Sequence, residues 1–355
     1  MNEKYKELTE LVTHWFKNKE QDVRILRSLY SQAYLNESPI VDRTVDLKQE
    51  TKFSKLSQED FVKKFNNENF VKLGKVGLKH LFQELHNRYM KEKGFEVTRN
   101  VEVVNDKEQQ AYGYVCYSDD LLYVNKYAID QAKTIEPHEN NFNKNNVGYS
   151  LMYIISHESQ HVAQYETAID FALGRKQDKQ TAFLGAMGII KNTNFQISNE
   201  KHDDYIDYWR DQYDYRYVEH NANYSAFKNV DKQVPTTEKT NDAYAQYTKF
   251  LMALSLRTYL KADKNFIQDR IQKMEEFALK EIEYFTEGTE DCPMKEHVLE
   301  VANAYMKVDE KGNSPFRKEM KKQITEFAKA ADKLEKLRQA ETKQKGEEEA
   351  LAFTF

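Results

Sequence analysis

Cysteine, proline and glycine are all scarce in this chain of 355 residues, with two, five and eleven copies respectively. The two cysteines, Cys116 and Cys292, lie far apart in unlike contexts. That argues against a disulfide framework and against a cysteine-based zinc site, and it fits a reducing compartment. So few turn-forming residues suit long helices better than a turn-dense all-β design. No charge sign dominates either: 53 Lys and Arg stand against 58 Asp and Glu, a formal balance of −5. Such a balance does not suggest a surface for nucleic acid or an anionic membrane. Long hydrophobic runs are missing as well, since the longest mainly apolar stretch, 182–190, is far too short to cross a bilayer. Residues 1–15 are charged and amphipathic and lack the apolar centre and cleavage site of a secretory signal. A water-soluble, cytoplasmic protein is therefore expected. What the chain does have is 40% hydrophobic residues and enough length for one large domain or two ordinary ones.

Apolar residues recur at helical spacing through most of the length. Leu8, Leu11, Val12 and Trp15, then Ile25, Leu26, Leu29 and Tyr30, predict a helical pair over 3–35. Periodicity lapses over 42–58, where Ser57 reads as the N-cap of a short helix holding Phe61 and Val62. Leu78, Leu81, Phe82, Leu85 and Tyr89 form one stripe of a helix over 75–93 that ends near Gly94. The pattern then turns β-branched and aromatic over 97–104, 111–117 and 121–124, with Asn105-Asp106 and Ser118-Asp119 as turns. This predicts a small antiparallel sheet. Further helices are expected at 148–173, 178–191, 203–228, 239–262, 264–286, 294–306 and 314–344; the charged stretch 329–349, before the apolar 350–355, reads as a frayed, solvated helix, with a docking peptide as the alternative.

The segment His157-Glu158-Ser159-Gln160-His161 is an HExxH pattern between apolar flanks free of Pro and Gly. Residues four apart share a helix face, so both imidazoles can reach one ion, and Glu158 lies beside the place where an activated water would sit. A catalytic zinc ion needs a further protein ligand and one open position. Glu219, in Tyr215-Arg216-Tyr217-Val218-Glu219-His220-Asn221-Ala222-Asn223, is the candidate, again at helical spacing. Asn223, four residues on, would face the same way and could hold a histidine by its distal ring nitrogen. Ala222 would allow close helix approach, and Arg216 would anchor the glutamate or contact substrate. Tyr215, Tyr217 and His220 are the candidates for an oxyanion donor, with nothing to choose among them. The aromatic stripe from Tyr205 to Tyr217 reads as helix packing.

His157-Glu158-x-x-His161 followed by Arg216-x-x-Glu219-x-x-Ala222-Asn223 resembles the gluzincin metallopeptidases, over residues 75–230. The resemblance implies a zincin-like domain, one Zn2+ on His157, His161 and Glu219, Glu158 as general base, and a peptide or protein substrate. It also implies that 121–125 is an edge strand lining the cleft. Asn223 departs from the aspartate usual in the family. The 57 residues between His161 and Glu219 are many for a compact member. An inserted helix at 178–191 would account for them; otherwise the third ligand lies elsewhere, although Glu166 and Asp170 follow on the first helix itself. The expected fold is α+β and predominantly helical, with two metal-bearing helices. Its parts are an N-terminal helical region (1–70), the zincin-like domain (71–235), a C-terminal helical region (236–345) and a tail (346–355). The expected activity is zinc-dependent peptide-bond hydrolysis. The alternative is a non-catalytic, zinc-stabilised helical interaction or regulatory protein that keeps the fold.

Overall fold

The computed structural model describes residues 3–17, 25, 26, 29, 44–46, 51–95, 97–109, 111–116, 121–136, 143–201, 215–235, 239, 244, 247 and 264–352. Helix α1 (Glu3–Lys17) is followed by strand β1 (Thr44–Asp46) and the short helices α2 (Gln58–Val62) and α3 (Asn67–Phe70). Next come α4 (Lys75–Glu92), strands β2 (Val97–Val104), β3 (Gly113–Cys116) and β4 (Leu121–Asn125), and α5 (Lys126–Ala132). The remaining helices are α6 (Val147–Ala172), α7 (Lys179–Lys201), α8 (Tyr217–Gln233), α9 (Lys264–Gly288), α10 (Pro293–Met306) and α11 (Pro315–Ala352). The architecture is α+β and mostly helical. No helix among the described residues is long and apolar enough to cross a membrane.

Local chemistry sets the C-terminal ends of α4 and α6. Gly94 and Gly174 adopt positive φ after α4 and α6. In each case the glycine N–H and the next N–H reach back to the last helical turn: Gly94 to Lys91, Phe95 to Met90, Gly174 to Phe171 and Arg175 to Asp170. These paired bonds satisfy carbonyls that a helix end otherwise leaves open. At the α2 N-terminus the Ser57 side chain accepts from the Asp60 N–H, as its position suggested.

Helix α6 is the centre of the molecule, packed against α4, α7, α8 and β3. Its residues are buried all round except Ile154, His157, Glu158 and Asp170. A helix buried on nearly every side lies within the core, and here the wall opens at the motif. Close approach at its N-terminus requires Gly148, where a Cβ would fall 1.9 Å from the Phe65 carbonyl oxygen.

The sheet corrects two expectations. Its order is β1-β2-β4-β3, with β1 antiparallel to β2, β4 parallel to β2, and β3 antiparallel to β4. It is mixed, not antiparallel, and among the described residues β4 (121–125) lies inside it while β3 is the edge. Burial accounts for the order, because Leu122 and Val124 of β4 are fully buried between neighbours whereas Tyr114 and Val115 of β3 are only half-buried. The buried Asn125 side chain pins the connection that carries the chain past β4, accepting from the Asp106 N–H and donating to the Asp106 and Gln109 carbonyls.

The helix expected over 203–228 is also corrected: Arg216 is extended at φ −73°, ψ 132°, and α8 begins only at Tyr217. Residues 202–214 and most of 239–262 lie outside the described residues, as does most of the second helix of the N-terminal pair.

Candidate metal centre

His157 and His161 lie one turn apart on α6, and Glu219 comes from the first turn of α8, which packs against it. Ala222, fully buried, follows Glu219 by three residues on α8. The His157 and His161 Nε2 atoms are 3.0 Å apart, and Glu219 Oε2 lies 3.6 Å from the first and 3.1 Å from the second. Two nitrogens and one oxygen thus converge, and among the described residues this is the one group of three His, Cys, Asp or Glu side chains arranged to hold a metal ion. A tetrahedral ion with bonds of ~2.0–2.1 Å separates its ligand atoms by roughly 3.3 Å, so these three atoms fit one.

Hydrogen bonding selects the tautomer of His161. The Val218 carbonyl can only accept, so it takes the amide nitrogen of Gln164 at 2.8 Å, and Gln164 Oε1 is left facing His161 Nδ1 at 2.9 Å. An amide oxygen cannot donate, so Nδ1 carries the proton and the Nε2 lone pair points at the site. Gln164 Nε2 also donates to Asn221 Oδ1, which receives a second bond from Gln160.

Glu158 Oε2 accepts from the Val115 N–H of edge strand β3 at 3.2 Å. Burial pushes its carboxyl up to about 7; the nearby Glu219 charge adds to this, while His157, the Val115 bond and Lys191 oppose it. Glu219 behaves in the opposite way. Burial would raise it, yet the neighbouring His161 and Lys191 outweigh burial and hold it well below the usual carboxylate range. Burial lowers the Lys191 ammonium, with Glu219 opposing.

The other expected site residues are placed differently. Asn223 accepts from the Tyr153 hydroxyl at 2.9 Å and bonds to neither histidine. Tyr153 lies one turn before His157 on α6 and intercepts it, and His157 Nδ1 is buried without a hydrogen-bond partner among the described residues. Arg216 does approach the glutamate, with Nη1 3.6 Å from Glu219 Oε1, and its Nη2 meets Glu281 of α9 at 3.3 Å. None of the three oxyanion candidates faces the group. Tyr215 lies under Arg270 and Lys273, and the Tyr217 hydroxyl donates to Glu319. His220, next to the ligand, is turned about 100° round the helix and packs against Phe327. Its imidazole is lowered to about 3 by burial and by Arg270.

Sequence reasoning missed Gln164, Lys191 and Glu281. Gln164 carried a signal, being three residues after His161 on the same helix face. Lys191 follows directly on an apolar run, with Gly185 and Gly188 at steps of three before it. At Gly188 a Cβ would stand 3.1 Å from the Ala168 Cβ of α6, so the glycine allows the close approach that brings Lys191 to the site. Glu281 had no local signal at all.

Fold and site together define a predominantly helical α+β protein with a buried His-His-Glu group able to hold a metal ion. No protein-family model, no curated protein and no solved structure matches the chain.

Proposed function

We propose that the chain is a zinc-dependent metallopeptidase of the gluzincin type, with His157, His161 and Glu219 as ligands and Glu158 as general base. The observation that carries this reading is the meeting of three donor atoms at 3.0, 3.1 and 3.6 Å where the wall of α6 opens beside Glu158. Two imidazoles and one carboxylate are the donor set that suits zinc with a position left open. When bound, the ion would supply Lewis acidity and a water acidified to near neutrality.

The chain's own groups do the rest. Glu158, a carboxylate next to the first ligand and open to the site, is placed to take a proton from that water and to return it to the leaving amine. Its bond to the Val115 N–H ties it to strand β3, whose outer side has no partner strand among the described residues. An extended peptide laid along such an edge is recognised mainly through its backbone, and its scissile bond would then run past Glu158.

Glu158→Gln keeps the shape of the side chain and removes its basicity. The variant should retain zinc and its melting temperature while losing peptide cleavage by about 100-fold or more, measured by profiling peptide fragments against the wild type. Equal cleavage by both proteins would remove Glu158 as the base, and no cleavage by the zinc-loaded wild type would leave the non-catalytic, zinc-stabilised reading in its place.

A further inference from the structure

The two oxygens of the Glu219 carboxylate have different neighbours. Oε2 faces the imidazoles, at 3.1 and 3.6 Å, whereas Oε1 faces two cations, Lys191 Nζ at 3.4 Å and Arg216 Nη1 at 3.6 Å. Neither cation is placed by the helices that carry the ligands alone. Lys191 comes from α7, brought close to α6 by the contact at Gly188. Arg216 is the fully buried residue before α8, and Glu281 of α9, also buried, meets its other nitrogen at 3.3 Å. One turn beyond Lys191, the Asn194 amide donates to the Glu281 backbone carbonyl at 2.9 Å and keeps α7 and α9 in register.

By Coulomb's law alone, a cation this close to a dication site weakens metal binding. An apolar side chain of similar length in place of Lys191 would be the better choice if charge were its only effect. What the ammonium does provide is a fixed partner for Oε1, which keeps that oxygen turned from the histidines. We propose that Lys191 is a positioning residue of the metal centre. With Arg216, itself set by Glu281, it holds Glu219 as a one-oxygen ligand, so that α7 and α9 complete a centre whose ligands lie on α6 and α8. This rests on the metallopeptidase reading for the presence of the ion and extends it to residues outside the motif.

The test is cobalt(II) titration of the full-length chain, followed by visible absorbance and calorimetry, for wild type, Lys191→Met, Lys191→Arg and Glu281→Gln. Thermal melts of the metal-free proteins check that each variant is folded. If Lys191 positions Glu219, Lys191→Met binds cobalt about 10- to 100-fold more weakly, the range typical for loss of a group that orients a ligand. The intense visible bands of a four-coordinate site are also lost as Oε1 joins the ion. Lys191→Arg restores most of both, and Glu281→Gln shows the same defects in weaker form. Charge repulsion alone would give the opposite sign. Cobalt bound by Lys191→Met as tightly as by wild type or more tightly, with an unchanged spectrum, overturns the positioning role and leaves the metallopeptidase reading standing. A folded wild type that takes up neither cobalt nor zinc overturns both.

Discussion

His86 should make the protein acid-sensitive, and its surroundings say why. The ring is fully buried between α4, β2 and α6. The Ser159 hydroxyl donates to the Ile155 carbonyl at 2.6 Å, so toward His86 Nδ1, 2.7 Å away, its oxygen can only accept. Nδ1 therefore carries the proton, and Nε2 accepts from the Arg99 N–H at 3.3 Å. A second proton on Nε2 would point at that N–H donor. Burial, reinforced by the Arg99 charge, accordingly lowers the imidazole to about 3. The folded value lies below the unfolded one of 6.5, so between the two the unfolded chain binds the extra proton. Stability is unaffected above that window and declines as pH falls through it, by up to about 1.4 kcal/mol per pH unit, or roughly 3 kcal/mol between pH 6.5 and pH 4. Urea unfolding followed by circular dichroism at both pH values, with chelator present, should show this loss in the wild type relative to His86→Asn. The variant keeps an amide donor for Ser159 and lacks the titrating ring, while all other groups cancel in the difference. A wild-type advantage of the same size at both pH values would refute the argument.

Three further outcomes follow from the packing. Glu166, buried on α6, joins Arg99 at 3.1 Å and Lys4 of α1 at 2.8 Å, so Glu166→Gln should cost about 3–5 kcal/mol in urea denaturation. Gly148→Ala drives a methyl into the Phe65 carbonyl and should destabilise by at least about 1–3 kcal/mol. Its melting temperature against the wild type reads this loss. Tyr217→Phe removes a hydroxyl that serves Glu319, so it should cost about 1 kcal/mol of stability and leave peptide turnover unchanged; a large fall in kcat would return Tyr217 to the reaction.

Much of the fold was legible because its signals are short-range. Helical spacing marked α4, α6, α9, α10 and the ligand-bearing part of α8, and glycine at positive φ marked the end of α4. The same three-to-four-residue spacing brought His157 and His161 onto one face and nominated Glu219, and the three donors do meet. What only the tertiary structure decided depends on partners distant in the chain. Strand order follows from which strand finds a buried slot, so β4 took the interior and β3 the edge. The hydroxyls and amides beside Glu219 bond to whatever packs on them, and α9, α11 and Tyr153 drew Tyr215, Tyr217, His220 and Asn223 away from the ion site. A buried charge must find its counter-charge wherever the chain supplies one, which is why Lys191 and Glu281, 90 residues apart, came to share one carboxylate–guanidinium cluster that no local pattern announced.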